Sequence, residues 1–201
     1  MRKVFAIMVI CFLSIHTYSQ EHIKFNGATF GLPLNEFIEG FPEKPRKLTS
    51  SYPPKGYNSD LCNYNPFEIT LNSKEWECRI FSSRVSDTVF RTVCSYSIWQ
   101  DNLKNDLMLL VNILEGKYGA GVQEKQEDLG IIVHYTTYLK EMLALYYYVK
   151  NSNNKVIGEI RISAAPRNEE AKNGFIELSY TDYKARDKAT KEYNSIMNDA
   201  L

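Results

Sequence analysis

A chain of 201 residues with 24 basic and 24 acidic side chains has no formal net charge, and it shows neither the basic stripe that tracks a nucleic-acid backbone nor the acidic tail of a solvated interaction arm. Hydrophobic residues make up 44% and tyrosine occurs 14 times along its length, which excludes wholesale disorder. The length suits one ordinary domain or two very small ones packed together.

The first nineteen residues have the three-part layout of a secretory signal peptide. Arg2 and Lys3 precede an apolar run from Val4 to Ile15 that only Ser14 interrupts, and His16, Thr17, Tyr18 and Ser19 then turn polar. Thr17 and Ser19 are small enough for the peptidase subsites, so cleavage is expected between Ser19 and Gln20. The run is shorter than the roughly 20 residues that a spanning helix needs. Cys11 follows the bulky Ile10, where a lipid-attachment signal wants a small residue. The expectation is a periplasmic or extracellular protein, with residues 20–201 forming one α+β domain and no membrane span once the leader is removed.

Leu34, Phe37, Ile38 and Phe41 have the spacing of a short amphipathic helix that Pro42 stops. Residues 43–66 hold four of the seven prolines and several asparagines, a turn-forming composition. Strands are expected at about 67–72, 75–84 and 88–98. Centring the second turn on Ser86 puts Cys78 opposite Cys94 and gathers Trp76, Cys78 and Ile80 with Phe90, Cys94, Tyr96 and Ile98 on one face. A one-residue slip would mix that set with Arg91, Ser95 and Ser97.

The strongest helix signal follows. Trp99, Leu103, Leu107, Leu110, Val111, Leu114 and Tyr118 recur every three or four residues, and Gly119 is placed to end the helix. Further strands are expected at about 131–138, 142–150, 155–163 and 174–181, with a turn over Asn151 to Asn154 and a charged helix at 183–198. Shifting the first half by 66 residues superposes apolar positions on apolar positions with few identities. The fold class read from this is α+β: antiparallel sheet packed by helices, with two tandem helix-plus-strands units at 28–98 and 99–181.

The segments KFNGATFGLPLNEFIEGF, EWECRIFSS, VFRTVCSYS and WQDNLKNDLMLLVNILEGKYG together resemble a group of uncharacterised secreted proteins of Bacteroides-type bacteria, over about residues 23 to 181. The resemblance implies a periplasmic or extracellular address and brings no catalytic residues with it. The long Pro/Tyr/Asn loop at 50–66 departs from the group's pattern. Tandem helix-plus-antiparallel-sheet units are also similar in plan to β-lactamase-inhibitor-like proteins and small outer-membrane assembly lipoproteins, which bind other proteins; that analogy concerns fold alone.

Signals for chemistry are sparse. Two histidines survive cleavage, His22 and His134, and no spacing pairs His134 with Cys62 as base and nucleophile. No metal-ligand pattern occurs, so no metal or cofactor is expected. Gly119 and Gly121 follow a helix, the wrong context for a phosphate loop, and Glu124, Glu127 and Asp128 read as a solvated charge run.

Of the three cysteines left after cleavage, Cys78 and Cys94 are placed for a cross-strand bridge that an oxidising compartment would permit. Three free thiols, or a bridge using Cys62, are the other readings. The candidate contact residues are aromatic: Tyr52, Tyr57 and Tyr64 in the proline-rich loop, and Tyr147, which alternation sets opposite to Tyr146 and Tyr148. The same rings could instead pin the loop and fill the core. The expectation is a non-catalytic binding module whose partner is an envelope or extracellular protein or a glycan. The alternative is a secreted hydrolase that works through carboxylates.

Overall fold

The computed structural model describes residues 21–49, 62–123, 144–166 and 173–199. Near its start, β1 (Lys24–Phe25) and β2 (Ala28–Thr29) form a tight hairpin, with Phe25 paired to Ala28. The two residues between them, Asn26 and Gly27, have φ of 46° and 89°, the positive values that a two-residue antiparallel turn requires. Helix α1 (Leu34–Glu39) follows Pro33 and ends at Gly40. Its Phe37 packs on Phe30 at 5.1 Å and on Phe41 at 5.5 Å between ring centroids, and Phe41 meets Phe25 at 5.7 Å.

The main sheet takes its strands from both halves of the chain: β3 (Arg46–Lys47), β4 (Cys62–Leu71), β5 (Lys74–Ser83), β6 (Val89–Trp99), β7 (Val122–Gln123), β8 (Ala144–Lys150), β9 (Val156–Pro166) and β10 (Asn173–Asp182). Helices α2 (Gln100–Tyr118) and α3 (Tyr183–Asp199) follow β6 and β10. The eight strands lie in the order β3-β4-β5-β6-β10-β9-β8-β7, every pairing antiparallel. Two three-stranded meanders, β4-β5-β6 and β8-β9-β10, are thus joined through their last strands. The fold is α+β, dominated by antiparallel sheet and closed by a C-terminal helix.

Local chemistry sets the boundaries. Asn72 and Ser73, with φ of 49° and 61°, turn β4 into β5. The Asn151 side chain accepts the N–H groups of Asn153 and Lys155 at 3.0 Å each to shape the β8-β9 turn. Gly119, with φ of 83°, ends α2 while its N–H donates to Glu115. Strand β4 reaches back to Cys62, through a stretch whose composition reads as loop. Pro66 is tolerated there because it lies near the sheet margin, where its carbonyl accepts from the Leu48 N–H at 3.0 Å and its missing N–H costs little. The strand expected at 131–138 lies outside the described residues.

The two faces of the sheet differ. One carries Trp76, Cys78, Ile80, Cys94, Ile160, Ile162, Ile176 and Leu178, buried beneath Leu103, Leu107, Leu110, Val111 and Leu114 of α2. Trp99, expected on this stripe, is 60% exposed because it precedes the helix as its N-cap and lies off the helical stripe. The other face has a smaller apolar cluster, Cys62, Phe81, Phe90 and Val93, under Ala185 and Ala189 of α3. Two alanines one turn apart let that helix approach the strands closely.

Cys78 lies opposite Cys94, as the Ser86-centred hairpin predicts. Phe90 does not keep the expected face. The pairing steps from Phe81 with Arg91 to Ser82 with Val89, so Phe90 is an extra residue, and this bulge turns its ring to the α3 side.

Candidate functional site

Alternation along β5 sends Trp76, Cys78 and Ile80 into the core and Glu75, Glu77 and Arg79 to the opposite face. The cross-strand register then builds a polar row over the sheet: Glu68 faces Glu77, Glu77 faces Ser95, Ser95 faces Glu177, and Glu177 faces Ser163. One step toward the sheet's end, Glu75 faces Thr70 and Ser97 faces Phe175. Such a row gives a helix nothing apolar to pack on. Among the described residues, α3 covers one end of this face, lying across β5, β6, β10 and β9.

Beyond the part that α3 covers lies a groove of about 430 Å³, lined by Glu68, Glu75 and Glu77, by Ser95 and Ser97, and by Leu48 and Phe175. Trp76 and Tyr96 also contribute lining. Arg46 on β3 holds Glu68 through two hydrogen bonds, Nε to Oε1 at 2.8 Å and Nη2 to Oε2 at 2.5 Å. This exposed pair fixes geometry more than it stabilises the fold. Deeper along the sheet, Glu177 sits between two arginines. Arg79 Nη2 donates to Glu177 Oε2 at 3.1 Å and to Ser95 Oγ at 3.3 Å, and Arg161 Nη1 lies 3.6 Å from Glu177 Oε1. This Arg-Glu-Arg cluster meets the groove at Ser95, which accepts from Arg79.

The rim is fixed from the other face. Lys74 pairs with Asp106 of α2, and the Tyr96 hydroxyl donates to the same carboxylate at 2.8 Å. The Trp76 and Tyr96 rings meet edge-on at 4.2 Å. Burial pushes the Asp106 carboxyl up, but the Lys74 and Tyr96 contacts outweigh it and leave the group below the usual carboxylate range. Burial, then the hydrogen bond to Asp106 and that group's charge, push the Tyr96 phenol up, so Tyr96 stays a neutral donor.

Of the sequence candidates, Tyr52 and Tyr57 lie outside the described residues. Tyr64 is half-buried on β4, its ring 5.9 Å from that of Phe81 on the α3 side of the sheet, so it serves packing. Tyr147 is 1% exposed and belongs to the core. Its ring lies so close to Gly121 that a Cβ there would come within 2.9 Å of it. The tyrosine of that run available for contact is Tyr148, at 43% exposure. Neither Tyr64 nor Tyr147 lines the groove. Cys78 and Cys94 stand as unbonded thiols, Sγ atoms 2.8 Å apart, beyond the covalent S–S length of about 2.05 Å.

No cluster of three or more His, Cys, Asp or Glu suited to a metal occurs among the described residues. His134, Glu124, Glu127 and Asp128 lie outside them. His22 is engaged elsewhere: its Nδ1 is 3.1 Å from Oδ1 of the fully buried Asp182. That aspartate also accepts the N–H groups of Ile23 at 2.9 Å and Ala185 at 2.8 Å, tying the N-terminal segment to the first turn of α3. An aspartate directly before a helix is a cap signal in the sequence. The alternation of Glu75, Glu77 and Arg79 against Trp76, Cys78 and Ile80 is likewise a signal for the groove.

Comparison with known proteins finds no matching family model, no similar curated protein and no similar solved structure.

Proposed function

We propose that this is an exported, non-catalytic binding module whose working surface is the part of the polar sheet face that α3 leaves open, and that its ligand is a basic, extended segment of an envelope or extracellular protein. The observation that carries the reading is the groove, in which Glu75 and Glu77 join Glu68 beside serine hydroxyls and the Phe175 ring. Carboxylates at alternate positions of one strand, and opposite one another on adjacent strands, suit successive lysine or arginine side chains, and the serines offer hydrogen bonds to a main chain. The resemblance to secreted Bacteroides-type proteins and the leader at residues 1–19 support export; neither names a partner.

Fluorescence polarisation with labelled extended peptides of equal length tests it. A Lys/Arg-rich peptide binds, with affinity falling as salt rises. A neutral Gly/Ser peptide and an acidic one bind at least tenfold more weakly, and the Glu75→Lys/Glu77→Lys double variant loses the difference. Equal binding of all three peptides, or none, removes the reading. Retention of a glycan on an array, abolished by the same variant, would replace peptide with sugar as the ligand.

A hydrolase reading draws on one specific observation, the direct opposition of Glu68 and Glu77 across β4 and β5. Two carboxylates facing one another are the raw material of glycoside hydrolysis. Glu68, however, is occupied by Arg46. Turnover of a glycan, ester or peptide substrate that disappears in Glu77→Gln would favour this second reading.

We also read the sheet as a tandem of strand-strand-strand-helix units. Laying Gln100, the first residue of α2, on Tyr183, the first of α3, brings β5 onto β9 and β6 onto β10. The helix-first division at 28–98 and 99–181 instead lays β6 on β9 and gives β10 no counterpart. The side-by-side placing of β6 and β10 supports the strands-first unit.

A further inference from the structure

Three cysteines follow the leader, and the sheet sorts them. Cys78 and Cys94 are directly opposed on β5 and β6, both fully buried on the face that α2 covers, with Sγ atoms 2.8 Å apart. Opposed residues of antiparallel strands have Cα atoms about 4.5 to 5.5 Å apart, inside the span that a disulfide bridges. Cys62 lies in the cluster on the opposite face, with Phe81 and Val93 beneath α3. The sheet itself stands between Cys62 and the pair.

We propose that Cys78 and Cys94 form a cross-strand disulfide and that Cys62 remains a thiol. The pairing rests on the structure; its formation in the cell rests on the export reading, which supplies an oxidising compartment. The co-reactant is an oxidised dithiol. One cysteine thiolate attacks a sulfur of that disulfide to give a mixed disulfide, and the second cysteine displaces the oxidant. The pair gives up two protons and two electrons, and the oxidant leaves as two thiols. Burial pushes the Cys94 thiol well up, whereas exchange needs the thiolate. The bond therefore forms while the β5-β6 hairpin is still open to solvent, before α2 closes over it, and the folded reduced protein reacts slowly.

The test uses the full chain with its leader, recovered after export, beside a leaderless chain made in cytosol, each alkylated under denaturing, non-reducing conditions and mapped by mass spectrometry. The exported protein is expected to show one linked peptide pair joining Cys78 to Cys94, lighter by two hydrogen atoms, with only Cys62 alkylated; Cys62→Ala leaves the link intact. The cytosolic chain is expected to carry three alkylated thiols and to gain the same link on refolding in a glutathione redox buffer. A link through Cys62, or three thiols in both the exported and the refolded protein, overturns the proposal. A link that forms on refolding but is missing after export upholds the pairing and counts against the export reading.

Discussion

The two faces of the eight-stranded sheet are made by alternate residues of the same strands, yet they differ in composition and burial. Beneath α2, alternate positions on β5, β6, β9 and β10 are mostly apolar and the surface is sealed by leucines of the helix. On the reverse, many intervening positions are Glu, Ser or Arg, and among the described residues α3 closes the part where Phe81, Phe90 and Val93 give its alanines something to press on. Stability is concentrated on the first face, and the proposed ligand-binding surface lies on the second. Burial of large apolar side chains is worth far more than exposed ion pairs, so the reverse face can present charge without endangering the fold.

Substitutions that probe this division should differ in both size and kind. The largest effect is expected at Trp76, which is 1% exposed: Trp76→Ala should cost about 3 to 5 kcal/mol in urea unfolding. Next comes Asp182, where replacement by alanine strands the N–H groups of Ile23 and Ala185 and should cost about 1 to 3 kcal/mol. A loss below half a kcal/mol there would show that the N-terminal segment is not held by that carboxylate.

Asp106 sharpens the comparison because it joins α2 to the groove rim. Its folded pKa lies below the unfolded one, so its stabilisation is present above the unfolded value and is lost as pH falls through the folded value. Asp106→Asn should therefore lower stability at neutral pH by about 1 kcal/mol or less and flatten the decline of thermal midpoint with acidification below about pH 4. The smallest stability effect belongs to Glu77→Gln on the open face, within about 0.5 kcal/mol, together with a measurable loss of basic-peptide binding. A large unfolding penalty at Glu77 would place it in the machinery of the fold and break the division of labour between the faces.

Much of the first face was legible in the sequence, because burial imposes a period. The spacing of Leu103, Leu107, Leu110, Val111 and Leu114 gives α2 and its buried side, and the alternation around Trp76, Cys78 and Ile80 gives the register that sets Cys78 against Cys94. The bulge at Phe90 was not legible, since one added residue between two apolar runs leaves each run's own alternation intact. Tyr147 was misread for a related reason. Three consecutive tyrosines show which rings share a face but not which face the helix covers, and here the middle ring is the buried one.

The groove is harder to read for a different physical reason. Glu68, Glu75, Glu77 and Ser95 are ordinary solvent-side residues within their own strands. They become a site only through the cross-strand register and through a helix that stops short of them. Asp182 belongs to the same class: its position before α3 marks a cap, but its hold on Ile23 spans most of the chain length.

The most direct test of the central claim is an amide NMR titration of residues 20–201 with the Lys/Arg-rich peptide. Saturable shifts confined to Glu68, Glu75, Glu77, Ser95, Ser97 and Phe175, and abolished in the Glu75→Lys/Glu77→Lys variant, are predicted. Shifts centred on the outer side of α2, or shifts in the groove that survive the charge reversal, would contradict it.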